Sequence, residues 1–159
     1  MAAIKVFKRY EKKNLMDEAA MRRLLPTILD HMEPDKFCRN GQTYEICNLY
    51  FDTEGFDVIR ESLSKPFYKE KLRLRSYGIP KSPEDRVFLE MKKKVNGVVT
   101  KRRAKLTLKQ AERFFNEGEI PLAASYMTAQ VLNEIGYYLS HKKVSPVMRI
   151  SYNRMAFFD

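Results

Sequence analysis

Little in this chain supports covalent cross-linking or a zinc site. Cys38 and Cys47 are its two cysteines among 159 residues, and neither belongs to a CxxC or Cys/His cluster that could hold zinc. A reduced, cytoplasmic compartment is the simplest expectation. Nothing near His31 has metal-ligand spacing. No apolar run approaches the ~20 residues needed to span a bilayer, and the N-terminus MAAIKVFKRYEKK lacks a signal-peptide apolar core. A soluble protein is therefore expected. Internal repeats and low-complexity segments are missing too, and one domain is expected over 1–159.

What the chain does have is positive charge in one place. Net charge is +10, and between Lys65 and Lys109 there are fifteen Lys or Arg against four acids. The remainder is close to neutral. A concentrated patch focuses its field on an anionic partner, whereas dispersed charge mainly helps solubility.

Within that patch, Lys69, Lys71, Arg73 and Arg75 share one parity, while Tyr68, Leu72 and Leu74 share the other. This is the period-2 signature of a strand with two unlike faces. VFLEMKKKVNGVVTKRRAK reads as a hairpin, because Asn96-Gly97 is the pair that a two-residue type I′ turn needs. Closing the turn sets Val95 against Val98, Lys92 against Lys101, Glu90 against Arg103 and Phe88 against Lys105. The last six of these, Phe88 included, share one face; Val87, Leu89, Met91, Ala104 and Leu106 share the other. Like charges directly opposite are unfavourable, so a polyanion site is the sharp reading and a solvated basic face the bland one.

Along the rest of the chain, Ile4 to Leu15 reads as a strand that could bring Arg9, Glu11 and Lys13 to the charged face. Met16 to Met32 reads as a helix with the stripe Met21, Leu24, Leu25, Ile28, Leu29 and Met32, kinked or split at Pro26. A loop over Glu33 to Gln42 precedes a buried strand over Thr43 to Asp52. Asp52-Thr53 suits the cap of a short helix with the stripe Phe56, Ile59 and Leu63. Thr107 and Gln110 form a capping box for a helix that Gly118 stops. Pro121 to Leu139 is a second helix, with the stripe Met127, Val131, Leu132, Ile135 and Leu139. Val144 to Phe158 returns to strand, where Arg149 and Arg154 differ in parity and only one can face the charged side. The sum is about six strands and four or five helices, an α+β fold. It suggests a sheet curled so that its charged face lines a hydrated channel, with helices packed on the apolar outside.

The stretches FKRYEKK, NLYFDT, SLSKPFYKEKLRLRSYG, VFLEMKKKVNGVVTKRR and SYNRMAF, in that order, resemble the polyphosphate polymerase (VTC) domain of the vacuolar transporter chaperone type, in particular its bacterial relatives. That family belongs to the triphosphate tunnel metalloenzymes, related to the CYTH group. The resemblance implies an antiparallel β tunnel of eight strands with helices outside, of which this chain would carry about six. It implies transfer of the γ-phosphate of ATP to a growing polyphosphate chain with Mn²⁺ or Mg²⁺. A hydrolase of the same fold and a non-catalytic polyanion-binding module are the alternatives. Carried over by motif, Arg73, Arg75, Lys101 and Arg154 would act on the reacting phosphates. Arg9, Lys13, Lys71, Lys92, Arg103 and Tyr152 would bind phosphate, which breaks the parity tie in favour of Arg154. Glu11 and Glu90 could hold the metal or serve as counter-charge to their neighbours. Strands that follow SYNR in the family, one of them with a metal-binding acid, have no counterpart here, so a truncated product or a shortened relative with an open tunnel is expected. Nucleic acid is not expected as a partner, since the patch lacks exposed aromatics interleaved with its cations.

Overall fold

A computed structural model of the chain describes residues 12–38 and 41–158. The expected first strand falls largely outside them, with Arg9 and Glu11; Lys12 to Leu15 are not in a strand. Helix α1 (Glu18–His31) starts at Asp17, whose carboxylate accepts from the Ala20 N–H at 2.6 Å. It runs unbroken through Pro26, contrary to the expected kink. Proline there removes one backbone bond, to the carbonyl of Arg22, and Arg22 lies in solvent. No residue of α1 is fully buried, and Leu24 and Leu29 of the expected stripe are exposed.

The expected loop after α1 contains a two-residue strand, β1 (Glu33–Pro34), paired antiparallel with β7 (Phe157–Phe158). The remaining strands form one antiparallel sheet in the order β5-β4-β3-β2-β6. They are β2 (Tyr44–Asp52), β3 (Tyr68–Tyr77), β4 (Arg86–Val95), β5 (Val98–Thr107) and β6 (Ser145–Arg154). The hairpin register is as expected: Val95 pairs with Val98, Lys92 with Lys101, Glu90 with Arg103 and Phe88 with Lys105. Asn96 and Gly97 both have positive φ, 44° and 83°, as a type I′ turn requires. The last expected strand breaks at Met155-Ala156, where the Ala156 N–H donates to Cys38 Sγ at 3.3 Å and the Ala156 carbonyl accepts from Asp35 N at 2.8 Å.

One face of the sheet carries the core. Leu72, Val87, Leu89, Met91, Ala104 and Leu106 pack against α3 (Leu108–Glu117) and α4 (Tyr126–Lys142) through Ala111, Phe114, Val131, Leu132, Ile135 and Tyr138. The Thr107/Gln110 capping box and the left-handed Gly118 bound α3 as expected. Helix α4 is capped by Ser125, whose hydroxyl accepts from Thr128 N, and its first residue, Tyr126, comes five residues after the expected Pro121. Helix α2 (Asp57–Leu63) is tied to the sheet by Asp52, which accepts from Thr53, Val58 and Ile59 N–H groups. It buries Val58; the expected stripe of Phe56, Ile59 and Leu63 faces out.

The channel expectation needs correction. The described sheet is open, with β5 and β6 as free edges, and does not close into a barrel. Five twisted strands are fewer than the roughly eight that a small barrel uses to meet its own edge.

Candidate functional site

The face of the sheet opposite the core collects the charge, and its strand register sorts the side chains into cross-strand rows. Lys101, Lys92 and Lys71 form one row on β5, β4 and β3. The next row is Arg103, Glu90, Arg73 and Tyr50, and the next Lys105, Phe88, Arg75, Asn48 and Ile150. Beyond it Tyr77, Ile46 and Tyr152 share a row, and Tyr44 pairs with Arg154.

Glu90 is the hub of this face, and it is 1% exposed. Arg73 donates to its Oε2 through Nε and Nη2, each at 2.7 Å. Arg103 donates through Nε to Oε1 at 2.6 Å and also through Nη2. Lys101 Nζ reaches Oε1 at 2.9 Å, and Arg75 Nε lies 3.8 Å from Oε2. Burial alone would raise the Glu90 pKa; the hydrogen bond from Lys101 and the charges of Arg73, Lys101 and Arg103 outweigh it and hold the carboxyl down at about 2. One carboxylate thus orders four cations, and a strong positive surplus remains around it.

The arginines are held from behind as well. Arg75, buried, donates from Nε to Asn48 Oδ1 at 2.9 Å, and Asn48 donates from Nδ2 to the Ile150 carbonyl at 3.2 Å. Arg73 Nη1 donates to Tyr50 Oη at 3.3 Å, and Arg103 Nη2 to Tyr77 Oη at 3.5 Å. These contacts fix rotamers before any ligand arrives, which lowers the entropic cost of binding.

The lysine row is different. Among the described residues neither Lys71 nor Lys92 has an ion-pair partner, while Lys101 shares Glu90. Burial lowers the Lys71 pKa, and the neighbouring Lys69 and Lys92 lower it further. Burial likewise lowers that of Lys101, against the opposing pull of Glu90. Unneutralised, mutually repelling lysines beside preorganised arginines form a place where an anion would be stabilised at once by several charge-assisted hydrogen bonds.

The structure therefore brings together Arg73, Arg75, Lys101, Arg103, Lys71 and Lys92 of the expected residues. Arg154 shares their face, and Arg149, paired with Leu49, does not. Arg154 and Tyr152 sit toward the other end of the sheet, in the rows of Tyr44 and Ile46. Lys13 precedes α1 and is exposed. Asn48, Tyr50 and Tyr77 are hydrogen-bonding neighbours of the arginines that the pattern of charges did not disclose. Their signal was parity: Tyr77 continues the Arg73, Arg75 series, and Asn48 is a polar residue between Cys47 and Leu49 in the middle of β2. The premise that aromatics are missing from the patch also needs correction. Tyr44 and Tyr77 lie 6.0 Å apart, Tyr77 meets Phe88 edge-on at 5.6 Å, and the Arg103 guanidinium lies 4.4 Å over Phe88.

A divalent ion does not fit the described residues. Cations fill both oxygens of Glu90, and no group of three or more His, Cys, Asp or Glu side chains with metal-binding placement occurs among them. No described helix is long and apolar enough to cross a membrane, and both cysteines are free and buried.

Comparison with known proteins agrees with this architecture. The family model described as VTC domain matches residues 8–159. The fold is similar to the crystal structure of a "putative adenylate cyclase" from Bacillus halodurans, with a TM-score of 0.55 and 16% identity. The match covers 90% of this chain and 63% of that one, so the chain spans less than two thirds of that protein's length.

Proposed function

The chain belongs to the VTC domain family, and from that premise we propose that its basic sheet face binds triphosphate and polyphosphate and passes the γ-phosphate of ATP to the end of a polyphosphate chain. The observation that carries this reading is the Glu90 cluster, which aims Arg73, Arg75, Lys101 and Arg103 at one place beside the unpaired Lys71 and Lys92. Phosphoryl transfer asks little covalent chemistry of a protein; positioning and neutralisation of the phosphoryl oxygens supply most of the rate. A terminal oxygen of the acceptor polyphosphate attacks the γ-phosphorus, the bond to the β-γ bridging oxygen breaks, and ADP leaves with that electron pair. Planar guanidiniums of Arg73 and Arg103 suit bidentate contact with the phosphoryl oxygens, and the three lysines neutralise the rest of the chain.

A second reading, hydrolysis of triphosphate, is favoured by one observation. The lysine row opens to solvent, with Lys92 and Lys101 exposed, so water can reach an attacking position. The products separate the two: polyphosphate chains that lengthen mark a polymerase, and chains that shorten mark a hydrolase.

The test is calorimetric titration of tripolyphosphate into the full chain at ~150 mM salt, with and without Mn²⁺, beside a short DNA duplex. Saturable binding of tripolyphosphate that exceeds that of the duplex is expected, and Arg73→Ala should weaken it about tenfold or more. Equal affinity for both polyanions would reduce the face to a general basic surface. ATP turnover with product sizing then follows on the same protein. Arg75 is less suited to this test, because its burial against Asn48 makes Arg75→Ala a probe of the fold as well as of the site.

A further inference from the structure

Beside the cations, the same face carries a band of aromatic side chains that phosphate binding alone does not require. Phe37 meets Tyr44 edge-on at 5.9 Å, and Tyr44 and Tyr77 follow at 6.0 Å. Tyr77 meets Phe88 at 5.6 Å, and Arg103 caps the Phe88 ring at 4.4 Å. Tyr152 completes the Tyr77, Ile46 row on β6, an edge strand of the described sheet. Tyr77 is 49% and Tyr152 42% exposed, so part of each ring is open to a ligand. A group with a flat apolar face could rest on them.

The placement of this band is specific. Along β3, Tyr77 lies four residues from Arg73, about 13 Å at ~3.3 Å per residue, and the Tyr77 hydroxyl reaches back to Arg103. The row of Tyr77 and Tyr152 follows directly on the row of Arg75 and Lys105, with Arg154 one row beyond it. A ligand that spans both must be anionic at one end and flat and aromatic at the other, with a linker of a few atoms between. That is the chemistry of a nucleoside triphosphate, and inorganic polyphosphate has no group to meet Tyr77 and Tyr152.

We propose that Tyr77 and Tyr152 form a nucleobase platform adjoining the phosphate site, so that this face distinguishes nucleoside triphosphates from inorganic triphosphate. The assignment rests on the phosphate-binding reading above, and it gives Tyr152 a role at the base end of the ligand. The base would stack on the exposed tyrosine rings, an interaction tolerant of base identity because every base presents a π face. Arg103, set between Glu90 and Phe88, would stand at the junction of phosphate and nucleoside.

The experiment titrates ATP, CTP and tripolyphosphate separately into the full wild-type chain and into Tyr77→Ala, Tyr77→Phe and Tyr152→Ala, with circular dichroism as a check on folding. Expected is a loss of about tenfold in ATP affinity relative to tripolyphosphate in Tyr77→Ala, a smaller loss of the same kind in Tyr152→Ala, and recovery of most of it in Tyr77→Phe, which keeps the ring. ATP and CTP should behave alike within a few fold. Parallel loss of all three ligands in Tyr77→Ala would overturn the platform and leave Tyr77 as a support for Arg103; so would failure of Tyr77→Phe to recover ATP binding. Should Tyr77→Ala fail to fold, the comparison passes to Tyr152→Ala, where an unchanged ratio of ATP to tripolyphosphate overturns the proposal. Wild-type protein that binds no tripolyphosphate would defeat the phosphate reading itself. Tripolyphosphate binding with no tyrosine-dependent preference for ATP defeats only the platform.

Discussion

At the scale of single residues, Glu90 decides whether the charged face can exist without a ligand. Four cations on neighbouring strands would repel one another, and a buried carboxylate among them turns that repulsion into an ordered cluster. Because its folded pKa is about 2 against an ordinary 4.5, Glu90 contributes stability that is fully present above pH 4.5. That contribution is lost as pH falls from 4.5 toward 2. Thermal melts from pH 7 to pH 2 should show this acid-side loss, and Glu90→Gln should flatten the corresponding part of the curve. At pH 7 Glu90→Gln should destabilise by about 3 kcal/mol, since it leaves cations without their counter-charge, and added tripolyphosphate should return part of that stability. If tripolyphosphate raises the melting temperature of wild type but not of the variant, Glu90 is needed to aim the cations and not merely to neutralise them. Tyr138 gives a prediction of opposite sign. Its hydroxyl is buried without a hydrogen-bond partner, and burial is the main reason its pKa is raised. Tyr138→Phe removes that unsatisfied group and should stabilise by about 1 kcal/mol, read as a higher urea midpoint with an unchanged slope.

At the scale of elements, the hairpin shows what local chemistry can determine. Two positive-φ residues close β4 onto β5, and every cross-strand pair down to Phe88 and Lys105 follows by counting. Gly97 sits at φ 83° with nothing within 4 Å of an added Cβ, so Gly97→Ala meets no clash and should cost about 1 kcal/mol through backbone strain alone, measurable by equilibrium denaturation. The capping box of α3 was equally legible, because Thr107 and Gln110 satisfy each other's backbone within one turn. Legibility failed where a second element had to be known. The stripes of α1 and α2 were read correctly as apolar, yet Leu24, Leu29, Ile59 and Leu63 remain exposed, since periodicity names a face and not what covers it. The β2–β6 pairing spans about a hundred residues, and without it Asn48 could not be seen to link Arg75 to the Ile150 carbonyl. The Arg149/Arg154 choice had the same origin, and register with β2 settles it. Closure of a tunnel lay further out of reach, because it depends on how edges β5 and β6 meet other strands.

At the scale of the whole molecule, the question is whether the net charge of +10 or its arrangement attracts the ligand. The core separates the two sides: α3 and α4 pack on one face of the sheet, and the cation rows occupy the other. At physiological salt the Debye length is about 8 Å, while a helix packed on a sheet places its outer charges farther than that from the opposite face. Charge on the helix side should therefore be screened from a bound phosphate, and charge in the rows should not. Lys109, exposed on α3, and Lys92, exposed in the lysine row, make the comparison direct. Lys109→Glu and Lys92→Glu change the net charge by the same amount. At ~150 mM salt Lys92→Glu should weaken tripolyphosphate binding by tenfold or more, whereas Lys109→Glu should leave it within about twofold. Lowering the salt to ~10 mM extends the Debye length to roughly 30 Å, and the effect of Lys109→Glu should then grow while that of Lys92→Glu persists. Equal losses for both variants at physiological salt would mean that overall charge governs affinity and that the rows on the sheet confer no placement of their own.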